Sequence, residues 1–432
     1  MKRLILLSAL LGLFACQDDP EITGTNPNPN VPDPNVPVPN APVPPAVERK
    51  NIELTKAEWQ IVERNNLFAF DLLRTVSKNE EKENILISPL SASLALAMLN
   101  NGANGLTHEE IQSVLGYGDI TRDEMNGYFQ KMLEAMQEID PLTTFKSANS
   151  IWIEQQFPVL APFTEVNKDY YGAEIRNEDF ADPATVSLIN NWCSDNTEGK
   201  IPEILDDVSA ASIMYLINAL YFKAIWTVPF DKANTKDETF YNLNGKTPLI
   251  PTMNNELEIY CSRGDDFTTA ELPYGNEAFS MVFLLPDEGV SLSSIIEKLD
   301  VQTWKSSTDW MNTRKIPIKI PRFKIEYTRT LNNDLMEMGM QSMFTSADFS
   351  LINPTAKLSV SLVLQKTFAE VNEEGTEAAT ITIIGMIGAD FDSPPRPEIK
   401  EFYVDRPFLY FIKEQSTGTI FFIGEMRNMN PE

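Results

Sequence analysis

Apolar positions recur at three- and four-residue intervals through Asn65–Lys78, placing Leu67, Phe68, Leu72, Leu73 and Val76 on one face of a helix. Leu90–Leu99 is apolar nearly all round, the pattern of a buried helix, with Ser88 placed to cap it and Pro89 at its first position. Thr107–Leu115 reads as a short helix with Thr107 and Glu110 in capping-box spacing and Gly116 as its stop. Asp182-Pro183 opens another helix, with Gly199 beyond its end. Further on the pattern changes. Ser212–Phe222, Ala270–Leu272, Phe279–Leu285, Ile316–Ile320, Leu358–Val371, Phe408–Ile412 and Thr419–Ile423 read as strands. Helices dominate the first half and strands the second, which predicts an α+β fold with large, mostly antiparallel sheets.

One strand-like run stands apart. Glu373–Gly385 reads Glu-Glu-Gly-Thr-Glu-Ala-Ala-Thr-Ile-Thr-Ile-Ile-Gly. Thr376, Ala378, Thr380 and Thr382 alternate onto one face that carries nothing large or charged. Gly375 permits the backbone angles of a hinge. The run ends in Gly385, Gly388 and the Asp390–Pro397 loop rather than in a tight hairpin. A segment that lives as an exposed loop in one state and as a buried strand in another would look like this. An ordinary strand beside a loop has the same spacing.

The chain starts with a basic pair, Lys2 and Arg3, and an apolar run, Leu4–Leu13, too short to span a membrane. Leu13-Phe14-Ala15-Cys16 resembles a bacterial lipobox, so residues 1–15 read as a lipoprotein signal peptide and Cys16 as the lipidated residue; a plain secretory signal is the alternative. Asp18-Asp19 resembles signals that send some lipoproteins to the cell surface. The expected location is therefore the outer membrane, surface-exposed, with a periplasm-facing anchor as the alternative. The rest of 16–47 is rich in Pro and Asn and reads as an extended tether. At about 3 Å per residue it would hold the globular part on the order of 80 Å from the membrane. Residues 48–432 read as one globular unit.

Composition narrows the chemistry. A formal charge of −27 disfavours nucleic acid and heparin as partners. The one histidine, His108, cannot build a histidine triad or a multi-histidine metal site, and it is expected exposed in a first helical turn. Cys193 and Cys261 lie in different elements and read as unpaired thiols. No metal and no cofactor is expected. Among 62 acidic residues a carboxylate pair could arise anywhere, so acidic pairs are no argument for a surface enzyme.

Several motifs then occur in a shared order. They are Asn84-Ile85-Leu86-Ile87-Ser88-Pro89-Leu90-Ser91, Ile217–Trp226, Glu271-Leu272-Pro273-Tyr274 and Phe283-Leu284-Leu285-Pro286-Asp287-Glu288-Gly289. Ile320-Pro321-Arg322-Phe323-Lys324-Ile325, Met338-Gly339-Met340, Glu373–Ala379 and Asp405-Arg406-Pro407-Phe408-Leu409-Tyr410-Phe411-Ile412 follow. In this order the chain resembles the serpins from Asn65 to Pro431. The resemblance implies a serpin fold of three β-sheets and about nine helices, with an exposed reactive-centre loop at about 373–400. It also implies a monomer whose loop is cleaved by a target serine protease and then inserts into the central sheet, trapping the acyl-enzyme.

Carried over residue by residue, the hinge is Glu373, Gly375, Thr376, Glu377, Ala378, Ala379 and Thr380. Its inward row is uncharged, and Glu377 would face solvent after insertion. The reactive bond falls at Ala389–Asp390 by spacing from the hinge. Met386, Ile387 and Gly388 are alternates, because the stretch to Pro407 is longer than in familiar relatives. These residues are small or apolar, which suits an elastase-like or subtilisin-like protease. Arg396, between Pro395 and Pro397, is disfavoured. The family's buried polar cluster beneath the central strands maps to Ser88, Ser91 and Asn218, with Gln365 where a histidine is usual. Arg322 and Glu373 match a pair that braces the top of the sheet, and Trp226 should pack where the hinge inserts. The alternative is a non-inhibitory surface lipoprotein of the same fold that acts as a binding protein.

Overall fold

The side chains of Thr55 and Glu58 close a capping box, each bonding the other's backbone N–H, so the first helix starts well before Asn65. The structure is a computed structural model that describes residues 48–80, 84–309, 311–376 and 399–431. In chain order the helices are α1 Lys56–Asn79, α2 Pro89–Asn100, α3 Gly105–Val114, α4 Arg122–Glu138, α5 Ala161–Tyr171, α6 Ala184–Asn196, α7 Leu292–Lys298, α8 Val301–Thr308, α9 Asn332–Met338 and α10 Ser342–Thr345. The strands are β1 Ile85–Ile87, β2 Thr143–Glu154, β3 Glu174–Glu178, β4 Met214–Ile225, β5 Lys236–Thr239, β6 Leu249–Arg263, β7 Phe267–Tyr274 and β8 Phe279–Pro286. They continue with β9 Asn312–Pro321, β10 Phe323–Thr330, β11 Leu364–Asn372, β12 Gly375–Thr376, β13 Phe402–Tyr403, β14 Phe408–Glu414 and β15 Ile420–Met426.

Among the described residues these strands form two hydrogen-bonded sheets. One has six strands in the order β10-β11-β12-β4-β2-β3. The other has nine, because β6 pairs with β5 and β9 along most of its length and with β7 at its end. Two of the three expected sheets are thereby one continuous ladder.

β4 is covered on both faces, which explains why it reads as a nearly unbroken apolar run, whereas β10 alternates buried and exposed residues. Tyr215, Ile217 and Ala219 face a satellite core with Trp152, Phe180 and Trp192, under α6. Leu220, Phe222 and Ala224 belong to the main core. There the Phe222 ring lies 5.6 Å from Tyr274 and 5.5 Å from Phe279. Helix α2 runs beneath this sheet against β4 and β15, and nearly all of it is buried.

Three local expectations are corrected. Thr107 and Glu110 do not cap α3, which starts at Gly105. Their side chains serve a distant segment: Asp348 N–H and the Ser342 hydroxyl donate to Thr107 Oγ1, and Ser342 N–H donates to Glu110. His108 is half-buried rather than exposed, with Nδ1 2.7 Å from Asn100 Oδ1. The run Leu358–Val371 becomes a strand only from Leu364. Cys193 and Cys261 are buried and unbonded, and burial pushes their thiols up to about 12 and about 11. Among the described residues no helix is long and apolar enough to cross a membrane.

Candidate functional site

The two central strands of the six-stranded sheet are each well paired on their outer sides. β11 matches β10 from Phe323↔Val371 to Thr330↔Leu364, and β4 matches β2 from Thr143↔Ala224 to Ile153↔Met214. Between β11 and β4 the described residues offer only the two of β12. Val371↔Thr376 and Asn372↔Gly375 pair on one side, and Gly375↔Ile225 and Thr376↔Ala224 on the other. The segment expected to be the hinge is thus docked as the start of a strand, antiparallel to both neighbours.

Glycine is required for that docking. Gly375 has φ +146°, and a Cβ there would lie 2.2 Å from Ala224 O and 2.6 Å from Ile225 Cα. Thr376 points inward, 3% exposed, with its Oγ1 2.8 Å from the Tyr274 hydroxyl. Burial drives the Tyr274 phenol far above its ordinary pKa, so it stays a neutral hydroxyl. Its ring stacks on Trp226 at 4.4 Å and 9°. Trp226 in turn donates from Nε1 to Asn372 O and from its backbone N–H to Glu374 O, both at 2.9 Å. Trp226 therefore clasps the turn between β11 and β12 from its side chain and its backbone at once.

The acidic residues of that turn are also held. Glu373 is 3% exposed; the Thr235 hydroxyl donates to it at 2.7 Å, and Phe230 N–H donates to its carbonyl at 2.8 Å. Arg322 stands 3.8 Å away, an ion-pair distance rather than a hydrogen bond. Lys232 pairs with Glu374. The sequence alone assigned no role to Tyr274, Phe230 or Thr235. Tyr274 stands in a motif that carried the family resemblance, while the other two are found only by tracing the chain after β4.

Beneath the strands, Gln365 makes a two-point clasp on Ser88: Ser88 N–H donates to Oε1 at 2.9 Å, and Nε2 donates to Ser88 O at 2.8 Å. The Ser88 hydroxyl donates to Phe421 O and accepts from Ser91 N–H, at the cap of α2. The cluster expected from the resemblance is therefore divided. Ser88, Ser91 and Gln365 come together, whereas Asn218 bonds elsewhere, donating to Asn149 Oδ1 at 2.6 Å and to Ser147. Asn218 Oδ1 is buried with no hydrogen-bond partner among the described residues. Ser91, Gln365 and Asn218 nonetheless line one cavity of about 90 Å³ between the lower parts of β4 and β11, together with Leu96, Leu216 and Leu362.

Cys16, Glu377, Ala378, Ala379, Thr380, Met386, Ile387, Gly388, Ala389 and Asp390 lie outside the described residues. No group of histidine, cysteine and acidic side chains among the described residues could hold a metal ion.

Residues 63–429 match the family model described as serpin (serine protease inhibitor). An uncharacterized serpin-like protein of Thermococcus kodakarensis is 32% identical over 378 residues, covering 87% of each chain. Leukocyte elastase inhibitor A of Rattus norvegicus is 33% identical over 381 residues, covering 85% of this chain and 99% of its own. The crystal structure of tengpin, a thermophilic serpin in its native state, superposes with a TM-score of 0.77 at 31% identity, over 89% of this chain and all of the other.

Proposed function

The chain belongs to the serpin family, and from that premise we propose that it is a suicide-substrate inhibitor of serine endopeptidases with a small aliphatic specificity pocket, elastase-like or subtilisin-like. Serpins act on target serine proteases, and one relative of this chain is a leukocyte elastase inhibitor. The observation that carries the reading is the docked hinge. Gly375 and Thr376 already occupy the first rungs between β11 and β4, and no other described residue fills that slot.

The inhibitor supplies no catalytic residue in this reading. The protease serine attacks the carbonyl of Ala389, or of one of the alternates Met386, Ile387 and Gly388. An ester to the serine oxygen forms, the peptide C–N bond breaks, and the new amine leaves with a proton. The freed strand continues from Thr376 along β4. From Thr376 to Ala389 about 14 residues span roughly 45 Å, enough to carry the ester to the far end of the sheet. The inward row after Thr376 is Ala378, Thr380 and Thr382, so no charge enters the core. Displacement distorts the protease before water can hydrolyse the ester.

Residues 1–15 act as a lipoprotein signal, Cys16 carries the lipid, and 17–47 form the tether that presents the inhibitor at the cell surface. Replacing Cys16 with Ser should release the protein from the membrane fraction; unchanged membrane association would contradict the anchor. For inhibition, the test is incubation of the purified protein with elastase or subtilisin, followed by denaturing electrophoresis. A covalent complex is expected, and mass spectrometry of the released peptide should give a first residue between Ile387 and Asp390. Cleavage without any complex would favour the binding-protein reading instead.

A further inference from the structure

Asp140 lies in the turn between α4 and β2 and is 2% exposed. Two donors hold its carboxylate: Leu142 N–H reaches Oδ1 at 3.0 Å and the Thr143 hydroxyl reaches Oδ2 at 2.6 Å. The backbone N–H of Asn276 also favours the charged form. The backbone of Gly275 presses against the same group, since a Cβ there would lie 2.0 Å from Oδ2. The Asn276 side chain closes the contact by donating to Ile139 O at 2.8 Å.

Both sides of this junction support the end of β4. On one side, Thr143 pairs with Ala224, the residue whose other edge receives Thr376. On the other, the turn after Tyr274 is bonded to the β4 terminus. Gly275 N–H donates to Ile225 O at 2.9 Å, Thr227 N–H to Pro273 O at 2.9 Å, and the Thr227 hydroxyl to Gly275 O at 3.1 Å. The same turn carries Tyr274, which holds Thr376 and stacks on Trp226. One carboxylate thus joins the two supports of the hinge's docking edge.

We propose that Asp140 is a positioning residue for trapping: by tying the start of β2 to the turn after Tyr274, it fixes the edge of β4 along which the cleaved loop inserts. This rests on the trapping reading above, in which insertion races hydrolysis of the acyl-enzyme. The site suits a carboxylate because both hydrogen-bonded neighbours are donors and the Asn276 N–H favours the charged form. An amide would turn one acceptor into a donor and oppose it to another donor. Burial raises the carboxyl pKa against the opposing hydrogen bonds of Thr143, Leu142 and Asn276. Thr143 and Leu142 from β2 and Asn276 from the turn are the groups that face it, and no charged side chain from α4, β4 or the turn contributes.

The experiment compares wild type, Asp140→Asn and Thr143→Val, first checked for cooperative melting, by the number of inhibitor molecules consumed per trapped elastase or subtilisin. Asp140→Asn should raise the inhibitor wasted beyond the one molecule trapped by about fivefold at neutral pH, the factor expected from one lost buried hydrogen bond. Thr143→Val, which keeps the shape and removes the hydroxyl, should shift in the same direction. As pH falls toward the raised carboxyl range, wild type comes to resemble the amide, so the variant-to-wild-type ratio should fall toward one. A ratio that stays constant with pH would mark a merely structural role and overturn the inference. So would ratios of one for both variants at neutral pH, with the wild-type complex still forming. Absence of any wild-type complex would instead overturn the trapping reading, and this inference with it.

Discussion

At Gly375 a single hydrogen atom decides whether the hinge can dock. A methyl group there meets backbone rather than a flexible side chain, at 2.2 Å from Ala224 O, and the φ of +146° is closed to other residues. Gly375→Ala is therefore expected to undock β12 and to raise the inhibitor wasted beyond the one molecule trapped by about fivefold or more, since backbone strain of this kind costs roughly 1–3 kcal/mol; titration against active protease measures it. His108 offers a pH test. Burial, then the nearby Arg122, lower its pKa, and Glu109 opposes them only in part. The unfolded state therefore binds a proton that the folded state resists. Stability is fully present above the ordinary histidine pKa of about 6.5 and falls as pH drops through that value toward the folded one. His108→Gln should flatten that part of a stability-against-pH curve measured by denaturant melting, and an unchanged slope would contradict the assignment.

Among the elements, the docked strand carries the sharpest prediction. On the trapping reading the inward row runs from Thr376 through Ala378 and Thr380, so Ala378→Glu or Thr380→Glu would bury a charge on insertion, at several kcal/mol. Each variant should be cleaved at the wild-type rate yet run on denaturing gels almost wholly as cleaved inhibitor and free protease. β11 is fastened to α2 through the Gln365–Ser88 clasp. Gln365→Ala should lower the unfolding free energy by about 1–3 kcal/mol, because it strands the Ser88 N–H and C=O. Much of this level was legible in the sequence. Periodicity found α1, α2, β4, β8, β14 and β15, and Glu373, Gly375, Thr376, Trp226 and Arg322, named by family spacing, lie together at one end of β4. The start of α1 was also readable, since Thr55 and Glu58 stand in capping-box spacing. The same spacing misled at Thr107 and Glu110, whose side chains are claimed by Ser342 and Asp348 far along the chain. Asn218 was misplaced for a similar reason, because a strand position fixes a face but not which of several polar neighbours the amide chooses. Asp140 carries no local signal, as its role exists only where the turn after Tyr274 meets the start of β2.

For the whole molecule, the −27 formal charge is expected to oppose polyanionic partners. The more consequential property lies between β11 and β4 of the six-stranded sheet. β11 and β4 are fully paired outward, but among the described residues they are joined only through Gly375 and Thr376. Completing the ladder would satisfy their facing backbone groups and bury the threonine and alanine side chains of the loop. On the trapping reading, the intact fold should accordingly be less stable than the fold that has received the cleaved loop as a strand. The most direct measurement is thermal unfolding of the intact protein beside protein cleaved in the loop at 386–390. Insertion predicts that the cleaved form melts about 10–20 °C above the intact form, because a new strand of roughly a dozen residues adds on the order of 10 kcal/mol, and 1 kcal/mol is worth a degree or two in a domain of this size. Equal melting of the two forms, or a lower value for the cleaved one, would contradict the account.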